Sequence, residues 1–442
     1  MASLLRCALL TLIFFAGALI SAVPRAANLM DIYQEALKQD TQYQSARAAY
    51  QAAQEKKAQG RAGLLPNINL SFSRQVQEVD TTLGPPVTIQ NRGLIISAIQ
   101  PLIRFENLFI YAQSKTQVSQ AESQFVIAAQ DLILRVAQAY FDVLDAQVDV
   151  EVAVAQKRAI LKQLEQAQRN FEVGVATIVD TNEAQARFDL TLAQEIAARN
   201  ALEISQRGLQ NIINRFPEQL AAAHDISSEL LSLRYASMEE WVTAAEEQNF
   251  TVKVQQAAYE FATKELKKSW SRHLPTVDLV AQYSDQSGVG GAITGRGIDL
   301  TSKSIGVQLN FPIFEGFGTQ SKIREALANQ EKALHDLETA RRNTLLQVRQ
   351  QYLNVTNGIA QVKALKQALV SSQTQLNSTM LGQEVGVRTE VDVLNAQQQL
   401  YSARRDLAKA YHVYLMSRLR LSAEAGELDE NILQQINDML QG

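Results

Sequence analysis

The sequence contains little cysteine, proline and histidine, and each shortage excludes a class of structure or chemistry. Its 442 residues include one cysteine, eight prolines and four histidines. Because Cys7 lies in an N-terminal segment that we expect to be removed, the mature chain has no disulfide, no catalytic thiol and no thiolate metal site. The histidines lack the spacing of metal ligands and are expected at the surface. The scarcity of proline permits very long helices.

The charge balance gives no indication of a nucleic-acid partner. The chain has 42 Lys and Arg against 46 Asp and Glu, a formal net charge of −4, and no basic run. Its 46% hydrophobic and 20% charged residues are typical of a folded protein. No nucleophile–base pair or metal-ligand cluster predicts an enzyme, and no motif predicts a cofactor.

The N-terminal segment 1–27 is predicted to be a signal peptide. Arg6 precedes an apolar run from Cys7 to Ile20, which has the length of a signal-peptide core, and cleavage is expected within positions 22–27. The run is short for a membrane anchor, the rival interpretation. No later stretch approaches the roughly 20 apolar residues of a spanning helix. If this exported chain enters a membrane, it must do so with strands.

The mature sequence is duplicated. GLLPNINL realigns with RHLPTVDL, QPLIRF with FPIFEG, and FEVGVATIVDTNEAQA with QEVGVRTEVDVLNAQQ. These alignments pair Pro66 with Pro275 (offset 209), Pro101 with Pro312 (offset 211) and Asp180 with Asp392 (offset 212). Two copies of one architecture therefore cover nearly the whole mature chain.

Each repeat is predicted to contain a strand hairpin and a long helical hairpin. The strands alternate, with Ile68, Leu70 and Phe72 on one face and polar residues on the other. This pattern is typical of membrane-barrel strands or of a half-buried soluble sheet, and the signal peptide and strand length favour the barrel.

The sequence divides into four segments after the signal peptide. The first repeat is expected at 28–215, with strands near 66–77 and 91–102 and a helical hairpin at 105–214, and a linker follows at 216–247. The second repeat is expected at 248–425, with strands near 275–284 and 303–313 and a helical hairpin at 319–422, and a C-terminal segment follows at 426–442.

The helical segments are unusually long. Glycine and proline are missing from Phe105 to Val173, a stretch that would span roughly 100 Å as one helix. In both repeats the long helix reaches the letters EVGV, where Gly174 and Gly386 supply the backbone freedom of a helix reversal.

Four strands per chain are too few to close a barrel, and open strand edges are not tolerated in lipid. Two chains would form an eight-stranded barrel filled by its own side chains, so a conduit favours three chains and 12 strands. The predicted fold class is mainly α with a β-barrel part, a trimer whose 12 helices continue the barrel as an α-helical tube.

The repeated motifs, in this order, resemble those of the TolC-like outer-membrane channel proteins. The resemblance covers the mature chain from LMDIYQEAL to RLRLSAEAGELD. It implies a homotrimer in outer-membrane lipid with a periplasmic helical tunnel. It also implies docking to a periplasmic adaptor and to an inner-membrane transporter, either of the ABC class or proton-driven. Whether the cargo is protein or small toxic compounds stays open.

The resemblance also implies a gate where the helices reverse. Arg388 and Asp180 match the arginine and aspartate of a link that holds the family's tip closed. A second such link is not matched, because Val179 and Gln383 replace its threonine and tyrosine. From the residues alone, a plainer interpretation competes, in which Asp180 and Asp392 only start helices and Arg388 is a solvated loop residue.

The family's two acidic pore rings correspond to Asp392 and Asn395, so one ring has lost its carboxylate. Glu384 and Glu390 are expected to add charge nearby. The helix reversals themselves are the expected adaptor-docking positions, namely Gly174, Val175, Gly386 and Val387.

Two other function classes compete with an export duct. An exported coiled-coil structural or adhesive protein of the envelope would explain the long helices without a channel. An enzyme is disfavoured because the sequence offers no catalytic constellation.

Overall fold

A computed structural model describes residues 27–81, 84–217, 220–221, 233–289 and 298–441. The predicted signal peptide, apart from residue 27, lies outside the described residues. His224 and most of the glycine-rich loop at 288–297 also lie outside them.

The described chain is built twice from the same elements. The first repeat contains α1 (Leu29–Gln39), α2 (Thr41–Ala62), β1 (Asn67–Thr81), β2 (Gly84–Ile103), α3 (Phe105–Glu172) and α4 (Ile178–Ile213). The second contains α5 (Met238–Gln248), α6 (Phe250–Ser271), β3 (Thr276–Val289), β4 (Ile298–Asn310), α7 (Gly318–Glu384) and α8 (Glu390–Glu424), and α9 (Glu430–Gln441) follows.

Corresponding helices agree in length almost to the residue. The helices of the first repeat have 11, 22, 68 and 36 residues, and those of the second have 11, 22, 67 and 35. Their starts agree as well, because Asp40 caps α2 and Asn249 caps α6 through side-chain acceptors. The short helix α5, which begins inside the segment predicted as a linker, is the counterpart of α1 in the second repeat.

The strands form one antiparallel sheet in the order β1-β2-β3-β4. Its register places Leu70 beside Ile96, and Ile96 beside Tyr283, on one face. Asn69, Ser97 and Gln282 form a row on the other face. The sheet therefore has one largely apolar and one largely polar face, as the alternating sequence predicts.

The strands run farther than the alternation indicates. β1 continues to Thr81 and β2 begins at Gly84, whereas the sequence pattern ends near residue 77 and resumes near residue 91. The added residues mix polar ones such as Glu78 and Asp80 with apolar ones such as Val87 and Ile89. Pairing of the backbone, rather than burial of one face, extends the hairpin there.

An ion pair joins the sheet to the helices. Arg104 follows β2, and its guanidinium donates to the Asp278 carboxylate of β3 at 2.7 Å. The Asp278 side chain is almost buried. The pair thereby ties the end of one repeat's hairpin to the beginning of the other's.

The four long helices lie side by side. α3 packs against α4 and α8, and α8 packs against α7, so the row runs α4-α3-α8-α7. The main hydrophobic core lies around the middle of this row, where α1, α5 and α9 cover it. Its largest fully buried side chains are aromatic, namely Tyr140, Phe141, Tyr411 and Tyr414. None of the helices in the described part of the chain combines the length and apolar character needed to cross a membrane.

The prediction that all histidines lie at the surface is wrong for His412. Its side chain is buried between α3 and α8, where Nδ1 lies 2.7 Å from the Asp145 carboxylate and the ring stacks on Phe141 with centroids 4.9 Å apart. Nearby, Lys409 donates to Asp149 at 2.8 Å. These polar pairs connect the first repeat to the second beside the core.

Each repeat contains one long helical hairpin, which we call a coil: α3 and α4 form the first coil, and α7 and α8 form the second. The two coils differ at one buried site. In the first coil, Glu195 of α4 is 6% exposed and forms ion pairs with Lys157 and Arg199. The hydrogen bonds from Lys157 and Arg199 lower the pKa of Glu195. At the repeat-equivalent positions of Lys157 and Glu195, the second coil has Leu369 and Leu407. A charged contact thus occupies a place where the second coil has an apolar one.

We expect Lys157 and Glu195 to stabilise the fold jointly, so that the losses of stability on replacing each of them are not additive. Lys157→Leu should lower the apparent melting temperature, because it leaves a buried carboxylate with Arg199 alone. Lys157→Leu with Glu195→Leu should recover that loss, since leucines fill the equivalent positions of the second coil. Thermal unfolding followed by circular dichroism, on the wild type, Lys157→Leu, Glu195→Leu and the double variant, measures the coupling. Arg187→Leu is the matched control, because its pair with Glu183 is exposed and should contribute little. Additive losses in the double variant would contradict the expectation.

Candidate gate at the helix reversals

The two helix reversals have the same backbone geometry. After α3, the N–H groups of Val175 and Ala176 donate to the Asn170 carbonyl at 2.8 and 3.2 Å. After α7, the N–H groups of Val387 and Arg388 donate to the Gly382 carbonyl at 2.9 and 3.1 Å. These bonds close the last turn of each long helix and use carbonyls that would otherwise lack a partner.

Glycine is required at both reversals by conformation. Gly174 has φ +75° and Gly386 has φ +78°, both in the left-handed region. Among the described residues, no atom lies within 4 Å of a Cβ built on either glycine. Space is therefore available, and only the backbone angle disfavours a larger residue.

Both return helices begin with a capping box. Thr177 accepts a hydrogen bond from the Asp180 N–H at 3.3 Å, and the Asp180 carboxylate accepts one from the Thr177 N–H at 2.8 Å. At the other reversal the same bonds join Thr389 and Asp392, at 3.2 and 2.9 Å. The structure thus places both aspartates at helix starts, and this is compatible with both interpretations. The capping threonines were not predicted, although the Thr-x-x-Asp spacing signals this motif.

The capping bonds keep both aspartates ionised. The Thr177 N–H and hydroxyl lower the pKa of Asp180, and the Thr389 N–H and hydroxyl, together with the charge of Arg388, lower the pKa of Asp392. A carboxyl whose folded-state pKa is lowered stabilises the fold above its unfolded-state value of about 3.9, and the contribution is lost as the pH falls through the folded-state value. Within one chain, Asp180 and Asp392 therefore each carry a negative charge at neutral pH.

Arg388 lies in the turn between α7 and α8, and its side chain packs against the end of α7. A Cβ built on Gly382 would stand 2.7 Å from Cγ of Arg388, so the arginine stem covers this glycine closely. Among the described residues, no ion pair joins Arg388 to Asp180. The structure brings Arg388 near Asp392 instead, and the predicted link to Asp180 stays a prediction for contacts between chains.

The predicted pore-ring positions share one face of α8. Asp392 and Asn395 are three residues apart and face away from the small core of Val393, Ala396 and Leu400. Glu384 is exposed at the end of α7, and Glu390 is the partly exposed first residue of α8. Three of the four positions are carboxylates, which makes the second reversal acidic apart from Arg388.

The reversals expose apolar side chains. Val175 is 74% exposed and Val387 is 75% exposed, and Val173 and Val385 beside them are also largely exposed. Valines with this exposure at a helix end are available to a partner surface. The adaptor-docking assignment of Gly174, Val175, Gly386 and Val387 stays a prediction.

No metal site accompanies the reversals. Within the described ranges, no group of three or more His, Cys, Asp and Glu side chains could hold a metal ion.

The chain matches the family described as outer membrane efflux protein, over residues 32–215 and again over 241–427. The starts of the two matches differ by 209 in residue number and their ends by 212, which are offsets of the internal repeat.

Full-length relatives are similar over nearly the whole chain. The chain is 34% identical to outer membrane protein TolC of Vibrio cholerae serotype O1, over 95% of each protein. It is 33% identical to alkaline protease secretion protein AprF of Pseudomonas aeruginosa, over 92% of this chain and 86% of the relative. The fold is similar to the CmeC outer membrane channel of Campylobacter jejuni, with a TM-score of 0.75 at 14% identity, over 96% of this chain and 94% of that one. The family match and the two relatives show that the chain belongs to the outer membrane efflux protein family of TolC-like channels and that it is an outer-membrane protein.

Proposed function

We propose that three copies of this chain form a channel-tunnel that serves as the passive, non-enzymatic exit duct of a tripartite export system. The observation that carries the proposal is the four-stranded sheet with two unpaired edges in an outer-membrane protein. A sheet edge exposed to lipid leaves backbone N–H and C=O groups without partners, at a cost of several kcal/mol for each group. Pairing β4 with β1 of another copy removes both edges.

The geometry favours three copies. Three sheets supply 12 strands, and a barrel of this size leaves room inside for a passage, whereas eight strands enclose a side-chain core. The polar face of the sheet, with Asn69, Ser97 and Gln282, then lines the water-filled interior, and the apolar face meets lipid. Four long helices from each chain continue the wall as 12 helices.

The helices are long enough to cross a periplasm. α3 has 68 residues and α7 has 67, and a helix of this length extends about 100 Å at its ordinary rise. The duct therefore reaches from the outer membrane to partners near the inner membrane. We propose that these are a periplasmic adaptor and an ABC or proton-driven transporter.

The relatives support an export role without fixing the cargo. One similar protein is named for the secretion of alkaline protease, and the family is named for efflux. We propose that the chain serves type I protein secretion, efflux of small toxic compounds, or both.

The helix reversals form the gate in this proposal. Three copies of Asp392 near the axis would form an acidic ring that favours cations, with Asn395 as a neutral ring beside it and Glu384 and Glu390 nearby. Arg388 of one chain would pair with Asp180 of another and hold the reversals together. Exposed pairs of this kind contribute only about 0–1 kcal/mol each, so adaptor binding at Val175 and Val387 could break them.

Planar-bilayer recording of the purified protein tests the proposal and its gate. We expect the wild type to form channels of low, uniform conductance and Arg388→Ser to form channels of higher conductance, because one inter-chain link at each reversal is lost. Arg187→Ser is the matched control, since it removes an exposed arginine of α4 that pairs with Glu183 of the same helix, and it should leave conductance unchanged. A protein that forms no channels would contradict the duct, and equal conductance of wild type and Arg388→Ser would contradict the link.

A second measurement tests the acidic ring. Asp392→Ala and Asp392→Asn should weaken block of the channel by trivalent cations, because each removes three carboxylates from the trimer. Asp392→Asn keeps an acceptor for the Thr389 N–H and so separates loss of charge from loss of the helix cap. Asp406→Ala removes a carboxylate about 21 Å farther along the same helix and should leave block unchanged. Equal block in all four proteins would show that Asp392 does not form the ring.

A further inference from the structure

The strand pairing within the chain predicts the register in which the two edge strands, β1 and β4, would pair with a second copy. β1 and β4 have neighbours on one side only, and their side chains are exposed throughout the described positions, as in Ile305 at 77%. If a second copy pairs with these edges, the question is which residues stand opposite each other.

The internal repeat preserves strand register. In the first hairpin, Asn67 stands opposite Ile99. In the second, Thr276 stands opposite Asn310. The offset is 209 from Asn67 to Thr276 and 211 from Ile99 to Asn310, and the surrounding prolines align at these same offsets. The sequence alignment of the repeats is therefore also their alignment in the sheet.

The pairing of β2 with β3 predicts how β4 would pair with β1 of another copy. It joins the second strand of one repeat to the first strand of the other, with Ile99 opposite Val280. A contact between β4 and β1 of another copy has the same relation, because β4 corresponds to β2 and β1 corresponds to β3. In the alignment of the repeats, Ile99 corresponds to Asn310 and Val280 corresponds to Ser71.

We propose that β4 pairs antiparallel with β1 of a second copy of this chain, with Asn310 opposite Ser71 of the partner subunit. The next pairs follow from the same relation, with Leu309 opposite the partner's Phe72 and Gln308 opposite the partner's Ser73. The inference rests on the proposed trimer and adds to it the register of its inter-subunit seam.

The faces of the two edges agree with this register. It brings apolar Leu309 beside the partner's Phe72 on the face that meets lipid, and polar Asn310 beside the partner's Ser71 on the face that lines the interior. A slip of one residue would place every apolar side chain opposite a polar one across the seam. A slip of two residues keeps the faces matched, so an experiment must separate the proposed register from these two alternatives.

Disulfide formation provides the separation. The chain's single cysteine, Cys7, lies in the predicted signal peptide, so the mature chain is a cysteine-free background. Three double variants share Asn310→Cys and combine it with Ser71→Cys, Asn69→Cys or Ser73→Cys. Side chains directly opposite in a sheet have Cβ atoms about 4.5–5.5 Å apart, and diagonal ones about 7–8 Å, beyond disulfide reach. All four positions lie on the interior face, where a copper oxidant has access.

A pair between β2 and β3 calibrates the yield. Ile99→Cys with Val280→Cys has the same strand relation within one chain, and its disulfide is detected as a mobility shift on a heated, non-reducing gel. We expect Asn310→Cys with Ser71→Cys to reach a similar yield as covalent dimers and trimers. The two neighbouring combinations should give yields on the order of tenfold lower.

Other results would overturn the inference in distinguishable ways. The highest yield with Asn69→Cys or Ser73→Cys would overturn the register and leave the trimer standing. No cross-link in any combination, with a trimeric mass by light scattering in detergent, would overturn pairing between β4 and β1. No cross-link with a monomeric mass would overturn the proposed trimer as well.

Discussion

Unpaired backbone at the edges of the sheet is the constraint on which the rest of this structure depends. In water, an edge strand can hydrogen-bond to solvent, but in lipid each free N–H or C=O costs several kcal/mol. The described residues of one chain form four strands, and β1 and β4 leave two such edges. No rearrangement of four strands removes them. In the proposed trimer, further copies of the chain pair with these edges, and the duplicated chain would use one type of strand pairing within and between subunits.

The hydrophobic core is distributed unevenly along the helices, with a large cluster around their middle and a small one near the second reversal. The large core lies around the middle of the helix row, where aromatic residues such as Tyr140 and Tyr414 are fully buried. Near the second reversal, the core shrinks to Leu376, Val393, Ala396 and Leu400. Local structure there depends on the capping boxes and the glycine turns, which contribute about 0.5–2 kcal/mol per cap. A segment with few buried contacts opens more readily than the core, which is what the proposed gate requires.

The sequence predicts the larger elements because their signals are periodic and long. The absence of proline and glycine from Phe105 to Val173 anticipates α3, and the alternation around Leu70 anticipates the two faces of the sheet. Strand ends are predicted less well, since the polar residues before Thr81 pair through their backbone. The burial of His412 has no periodic signal, because it depends on Asp145 and Phe141 of another helix. Such contacts join positions in different repeats, far apart in the sequence, and are determined by packing.

Differences between the repeats are more informative about mechanism than their similarities. The backbone of the two reversals is the same, with matching glycines and capping boxes, but Arg388 of the second corresponds to Ala176 of the first. The first coil holds the buried Lys157–Glu195 pair where the second has leucines. In the proposed trimer, the six reversals therefore form two sets of three with different charge. Six equal reversals would share one equilibrium between closed and open, whereas two unequal sets can respond separately to a partner. In the proposed link to Asp180, a contact that competes for the charge of Arg388 would release the second reversal of one chain from the first reversal of another.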